Sequence, residues 1–549
     1  SITNGIDLDG EGGLVWIKAR NNTSDRNHVW FDTERTFATQ AIHSNNNEAS
    51  GTELGFSSFN DDGFSLSNDS GGGQNVNTSG KKYCGWTFRK APKFFDIVKY
   101  TGDGNSSKTI SHSLGTTVGA IFIKNVSSAG DWKVFHRSLG ETKALTLNAT
   151  STVSTDSSFF NDTAPTTTAF TVGDSTDVNN NGQTYHAFLF AHHDDDGDFG
   201  SSGDQDIIHC GSYSGNGSTT GPTITLGFEP QWIMLKPSTL SLNWLMYDIL
   251  RRWNLDDNDL FINPNTANGS TYGASTSEID HSATLGGDFG NPTATGFEIK
   301  SSSGAVNGNG QTYIYIAIGR STKVPTASSQ VFSQHFGSAE PHTTNFPVDM
   351  NINTQNNSNS INYIFNRLTH TNILRTNSSD PEDTFGPANI FQSNSGIDVA
   401  TGWWGLSQTN IVSLSWKRAQ KYFDIVCYTA GSSPSGGETI THNLKAVPEM
   451  MWIKRRNGFE NMVVYHEGLG NTKFLELDGT AAAATSSTHF NDTTPTDSVF
   501  TIGTSNNVNS GSSPYIAFLF ATVAGVSKVG IVSHTQSSAT NVDCGFSNG

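Results

Sequence analysis

The stretch Phe95–Ala191 opens FDIVKYTG (95–102) and runs through TISHSLG (109–115), IFIK (121–124) and DWKVFHRSLGETK (131–143). It continues through SSFFNDTAPTTTAFTVG (157–173) and closes VNNNGQTYHAFLFA (178–191). The same string returns as FDIVCYTA (423–430), TITHNL (439–444), MWIK (451–454), NMVVYHEGLGNTK (461–473), STHFNDTTPTDSVFTIG (487–503) and VNSGSSPYIAFLFA (508–521). An offset of 330 carries Thr109 to Thr439, His136 to His466 and Ala191 to Ala521 without a gap. Self-similarity of this length is a duplication, and a duplication decides the architecture before any local pattern does.

Inside the repeated unit the pattern is β. VKY, IFIK, WKVFH, ALTLN, FTVG and YHAFLFA are short runs rich in β-branched and aromatic residues. Clusters of Gly, Asn, Asp, Ser and Thr separate them; these residues adopt left-handed backbone or bond their own main chain, and so make turns. About a hundred residues with six to eight such strands is the size of one β-sandwich.

Working outward, residues 1–93 form a first unit, sandwich A, carrying LVWIKAR (14–20), HVWFDTER (28–35), SFNDDGFSL (58–66) and VNTSGKKYCGWTF (76–88). Residues 94–200 are sandwich B. Residues 201–322 are a more divergent sandwich C, in which NWLMYD (243–248) matches DWKVFH (131–136) and VNGNGQTYIYIAIG (306–319) repeats the closing hairpin. NWLMYDILRRW has some helical character, but its alignment to a strand predicts a strand. Residues 323–420 are a divergent sandwich A′, with INYIFNRL, NILRT, SGIDVATGWWG and IVSLSWKRA as its strands, and residues 421–523 are sandwich B′. Residues 524–549 begin a sixth, incomplete unit. The joint RKAPK (89–93) has its echo in KRAQK (417–421). Joints this short have little reach. The expectation is an all-β tandem array of jelly-roll or lectin-like sandwiches, arranged in a row as an elongated rod.

At 549 residues the chain exceeds what one core supports. A net charge of −18 argues against nucleic acid, which rewards basic surfaces. Charged residues are only 15% while aromatics reach 11%, which suits packed cores with many polar loops rather than disorder. The four cysteines, Cys84, Cys210, Cys427 and Cys544, are far apart without CxxC spacing; they read as unpaired, partly buried residues, not a zinc site or a disulfide framework. No apolar run approaches the roughly 20 residues of a spanning helix, so no membrane insertion is expected.

Several residues recur. Tyr83, Tyr185, Tyr313 and Tyr515 follow a Val-Asn turn; they could stack on a sugar, but recurrence in each unit favours a hairpin feeding a core strand. His112/His442 and His136/His466 could be ligands or a catalytic base. Asp32 and Asp248 stand where His136 does, which favours a polar residue bonded to a neighbouring loop. FNDTAPT (160–166) and FNDTTPT (490–496) read as Asx-type turns closed by a proline. No carboxylate pair recurs as a glycosidase would need, and GxSxG, HExxH and phosphate-loop motifs are absent. The chain is therefore expected not to be an enzyme. The acidic joint carrying Asp194, Asp195, Asp196, Asp198, Asp204 and Asp206 is the metal candidate: clustered carboxylates on a Gly-rich loop suit calcium, with Asp194, Asp196 and Asp198 as ligands. The spacing is not that of an EF-hand, and the equivalent joint TVAGVSK (522–528) has no acids, so a solvated linker is the competing reading.

The strings LVWIKARN, FDTER, SFNDDGFSL, YCGWTFRKAPKFFDIVKYTG, WKVFHRSLGETK, FNDTAPT and AFLFAH resemble those of repeat-containing virion structural proteins, tail-fibre-like, of marine bacteriophages that infect cyanobacteria and other ocean bacteria. The resemblance covers A, B, C and B′ well and A′ poorly, and it brings no catalytic residues with it. It implies a structural component of a virion appendage, a tail fibre or host-adhesion protein, on the particle surface. The implied partners are other virion proteins, host cell-surface glycans and further copies in a homo-oligomer such as a trimer. The alternatives are a glycan-binding or glycan-depolymerising receptor module, or a capsid or tail decoration protein. VGIVSHTQSSATNVDCGFSNG (529–549) aligns with the opening of sandwich C, and SITNGIDL (1–8) with TISHSL of sandwich B. The expectation is a segment of a longer repeat protein; the rival is that residues 524–549 complete a neighbouring subunit by strand addition.

Overall fold

A computed structural model of the chain describes all residues except 22–25, 36–39, 53–54, 68–75, 256–258, 268–277, 338–341, 356–361, 371, 385–389, 398–410, 433–435, 534–538 and 547–549. The end of SGIDVATGWWG thus lies outside the described residues. The structure is almost entirely antiparallel β, and every sheet is built from strands of one sandwich. The chain divides into two compact units. The first comprises Ser1–Trp253, Asp257–Pro292 and Gly296–Arg320; the second Asn254–Asp256, Thr293–Thr295 and Ser321–Gly549.

Sandwich B shows the plan. Its large sheet has the order Ser154–Thr155, Lys143–Thr146, Lys133–His136, Val118–Asn125, Thr184–Ala191, Phe95–Thr101. A thin second layer pairs Lys108–Ser111 with Ala169–Val172. Sandwich B′ repeats this strand for strand, from Phe423–Thr429 on one edge to Ala484–Thr485 on the other, with Glu438–Thr441 against Val499–Ile502. In both, an opening strand (Phe95–Thr101, Phe423–Thr429) pairs with a closing strand (Thr184–Ala191, Pro514–Phe520). The pair is pinned by stacked tyrosines: Tyr100 on Tyr185 at 5.2 Å and Tyr428 on Tyr515 at 5.2 Å. Tyr185 and Tyr515 also donate their hydroxyls to the turn ahead of them, at Thr176 and Asn506. The recurrent tyrosine is a hairpin clamp. NWLMYD contains a strand, Leu245–Asp248, followed by a single 3-10 turn.

The central strand Val118–Asn125 is buried along its whole length, on both faces. This explains why VGAIFIK reads as a continuous apolar run rather than an alternation. In sandwich A the two faces separate cleanly. Val15, Ile17, Val29 and Phe31 point into the sandwich, with Phe56 and Phe64 of the thin layer. Leu14, Trp16, Trp30, Ile42 and Phe88 point the other way, into a core shared with B and C. Trp232, Met234, Trp244, Met246, Ile314, Ile316 and Ile318 enter it from C.

This shared core corrects the expected row. Trp30 packs on Trp132 and Phe188, joining A to B; Phe122 packs on Trp244, joining B to C; and Phe88 packs on Trp232, joining C back to A. The three sandwiches of the first unit are a closed triangle around one aromatic core. Short joints set how far consecutive sandwiches can separate, but the apolar outer face of each large sheet sets how they meet. Burying one such side chain is worth about 1.5–3 kcal/mol, and a row would leave most of those faces wet. The second unit applies the same rule to A′ and B′: Met350, Ile364 and Leu374 of A′ share a core with Phe423, Ile425, Met462, Ile516 and Phe518 of B′.

Candidate functional site

The chemistry-bearing residues that recur along the sequence converge on the seams between sandwiches. In A, B, C and B′ the central strand carries a lysine one residue before its end, and the ammonium is carried into the neighbouring sandwich. Lys124 donates to the carbonyls of Asn125 and Gly130 in B and to Asn47 in A, the last at 3.1 Å. Lys236 of C donates to Thr150 of B at 3.1 Å. Lys18 of A donates to Ala267 of C. The order is cyclic, as threefold pseudosymmetry requires. In the second unit Lys454 of B′ donates to Ser379 of A′ at 2.7 Å. An ammonium has three donors and no acceptor, so a ring of carbonyls satisfies it completely. Burial nevertheless pushes Lys124, Lys236 and Lys454 down to about 8.

Two residues beyond each lysine a main-chain bond repeats the pattern. Ser50 N–H donates to the Val126 carbonyl, Val153 to Ser238, Glu278 to Arg20 and, in the second unit, Glu382 to Arg456. The A–C and A′–B′ seams add ion pairs: Arg20 with Glu278 at 2.8 Å and Arg456 with Glu382 at 2.7 Å. A tryptophan donor is the third element. Trp132 Nε1 donates to His43 O at 2.8 Å, and Trp244 Nε1 to Thr146 O at 3.1 Å. His28 takes this position in A; its burial lowers its pKa well below the ordinary histidine value, opposed by the main chain of Asn263 in C.

The fourth element is the position shared by Asp32, His136 and Asp248. Each faces the closing strand of the next sandwich. Asp32 meets His186 of B at 3.4 Å, His136 meets the carbonyl of Tyr315 in C at 3.0 Å, and Asp248 accepts from Trp86 Nε1 of A at 3.0 Å. The two aspartates are each gripped by an arginine three residues on, Arg35 and Arg251, both with Nε–Oδ2 of 2.6 Å. Burial would raise the Asp32 carboxyl, but Arg35 and His186 outweigh it and hold it well below the carboxylate range. Burial pushes His136 down to about 4, so its ring is neutral.

The other sequence candidates have local roles. His112 and His442 accept from the N–H of Leu114 and Leu444. Asn161–Asp162 and Asn491–Asp492 are left-handed and terminate one-turn helices. In the acidic joint, Asp196 accepts from Asp194 N–H, Asp206 from the N–H of Asp195 and Gly197, and Asp198 pairs with Lys93 at 3.0 Å. Asp194, Asp196 and Asp198 are therefore not brought to one point. Among the described residues no group of three or more His, Cys, Asp or Glu side chains could hold a metal ion. None of the four cysteines forms a disulfide; Cys210 is buried, Cys84 and Cys427 are part-buried, and Cys544 is exposed where a partly buried residue was expected.

Sequence reasoning singled out His136 and its aspartate equivalents but missed the seam lysines and the Asp-x-x-Arg grips. The signals were present: an apolar-apolar-Lys strand in A, B, C and B′, and D-x-x-R in both FDTER and YDILR.

No curated protein and no solved structure matches the chain. A family model does, over residues 3–322 and 405–548, and its description is a domain of unknown function, DUF7483. The first matched segment coincides closely with the closed three-sandwich unit. With more than half of its length matched, the chain belongs to the DUF7483 family.

Proposed function

We propose that the chain is a structural component of a bacteriophage virion appendage, a tail fibre or host-adhesion protein that serves as a stiff spacer rather than as an enzyme. One observation carries the reading: Asp32, His136 and Asp248 at one shared position, the seam lysines and the tryptophan donors are consumed in satisfying seams between sandwiches. Such seams hold several small domains as one body, which suits a load-transmitting part. The resemblance to marine phage virion proteins supports the same reading. Other virion proteins and a host glycan are the partners it proposes. Antibodies raised against the purified chain test it. Decoration of tail fibres on particles of a phage that encodes the chain is the expected result, and particles free of the protein by mass spectrometry would overturn it. Release of reducing sugar from host envelope material by the purified protein would replace it with a depolymerase.

A further inference from the structure

An Asn–Gly pair carries chemistry of its own. The glycine nitrogen can attack the amide carbon of the asparagine, because the glycine has no side chain to stand in the way. Six such pairs lie among the described residues, at Asn4, Asn181, Asn216, Asn307, Asn309 and Asn457; the pairs at 268 and 548 lie outside them. In five of the six the nucleophile is occupied. Gly5 N–H donates to the Asp62 carbonyl, Gly182 to Gly102, Gly217 to Asn307 and Gly310 to Gly215, and Gly308 N–H donates to the Tyr313 hydroxyl, all at 2.7–2.9 Å.

Asn457–Gly458 differs. It sits in the loop between Met450–Arg455 and Val463–His466 of B′, and Asn457 is exposed. Among the described residues nothing accepts a hydrogen bond from Gly458 N–H. Arg455 lies over the pair. Its Nε donates to Asn457 Oδ1 at 2.9 Å, and a Cβ on Gly458 would come within 2.7 Å of the same Nε. The amide oxygen that gains negative charge as the nitrogen attacks is thus already held by a cation. The equivalent place in B has Ser127–Ser128, whose N–H groups both donate to Asn125 Oδ1.

We propose that Asn457 is a self-modification site, converting to aspartate and isoaspartate with Arg455 as its positioning residue. Gly458 N–H gives its proton to solvent, and the nitrogen forms a bond to Asn457 Cγ. Oδ1 takes up the negative charge against Arg455 Nε–H. The Cγ–Nδ2 bond then breaks, and ammonia leaves with a proton from water, closing a succinimide ring. Water adds to one of the two ring carbonyls and opens the ring to a carboxylic acid. Nothing is oxidised or reduced, and water is the only co-reactant. The product sets a carboxylate where a neutral amide met Arg455, and isoaspartate adds one methylene to the main chain beside Arg456. Arg456 holds the A′–B′ seam, through its carbonyl to Glu382 N–H and through its guanidinium to the Glu382 carboxylate at 2.7 Å.

The full chain, held at mildly alkaline pH, cut by a lysine-specific protease and read by fragment mass spectra, tests this. The peptide 455–473 keeps Asn457 internal. Amide-to-acid conversion at Asn457 should run about tenfold faster than at the five bonded pairs, roughly what one main-chain hydrogen bond withholds from a reacting N–H. Labelling by an isoaspartate-specific methyltransferase should mark the same peptide. In urea, which removes the bonds and the Arg455 contact, the six pairs should react at similar rates. Arg455→Ala should slow conversion at Asn457 alone, and Arg455→Lys, which keeps the cation, should recover part of it; thermal melts confirm that both variants are folded. Conversion at Asn457 no faster than at the other five in the folded chain, a preference for Asn457 that persists unchanged in urea, or a rate that Arg455→Ala leaves unaltered would overturn the proposal.

Discussion

His136 of the second sandwich places Nε2 3.0 Å from the carbonyl oxygen of Tyr315 in the third, while its Nδ1 accepts from the N–H of Ser138 at 3.3 Å. A carbonyl can only accept, so the proton sits on Nε2 and the ring is neutral. The seam between B and C is thus written in one tautomer of one histidine.

That tautomer makes the seam acid-labile. The folded pKa of His136, about 4, lies below the ordinary 6.5. Between those values the unfolded chain binds a proton that the folded one refuses, so stability falls as pH drops from 6.5 towards 4. The full effect is about 3 kcal/mol at most. His281 and His342, also pushed to about 4 by burial, add to the slope. His136→Gln, which keeps a donor, should flatten part of the slope between pH 6.5 and 4.5 in thermal melts. An unchanged slope would remove His136 from the account.

The seam lysines act at the other end of the scale. Lys124, Lys236 and Lys454 have folded values near 8 against 10.5 unfolded. In that window the unfolded chain holds the extra proton, so stability should rise with pH. The rise should end near pH 10, where tyrosines such as Tyr100, raised by burial, oppose it. Lys124→Met should lose part of the rise. It should also cost about 1–3 kcal/mol at neutral pH, because it orphans carbonyls of Asn47, Asn125 and Gly130. Urea denaturation at neutral and mildly alkaline pH separates the two effects.

Breaking the Asp32–Arg35 grip by halves should hurt more than removing it whole. Both side chains are almost fully buried. Asp32→Asn leaves the guanidinium uncompensated and should cost about 3–5 kcal/mol, whereas Asp32→Asn with Arg35→Met should recover much of the loss. A double-mutant cycle on the melting free energy measures the coupling, and additive costs would contradict the geometry.

The acidic joint gives a prediction about calcium. Its carboxylates are directed at backbone N–H groups and Lys93, and Asp206 holds two of those N–H groups. Removing Asp206 by Asp206→Ala should speed proteolysis at Asp194–Asp206. Calcium or chelator should leave the melting temperature unchanged; a calcium-dependent rise that Asp196→Asn abolishes would restore the metal reading.

The β class, the duplication, the strand positions and the turn roles of Tyr185 and Asn161–Asp162 were legible from residues alone, because period-two patterning and turn chemistry are local. The equivalence of Asp32, His136 and Asp248 was legible too, but not its meaning. Each of those side chains finds its partner roughly 150–180 positions away in another sandwich, and no local pattern encodes that distance. The row of domains was the natural reading of short joints. The closed triangle came from the outward faces, where Trp30, Phe122, Phe190 and Trp232 look in sequence like ordinary strand residues. An alternating strand declares that it has two faces and one is buried; burial of both faces is a property of what packs against it. Tertiary structure alone decides that, since the free energy lies in apolar area shared between sandwiches rather than within any one of them.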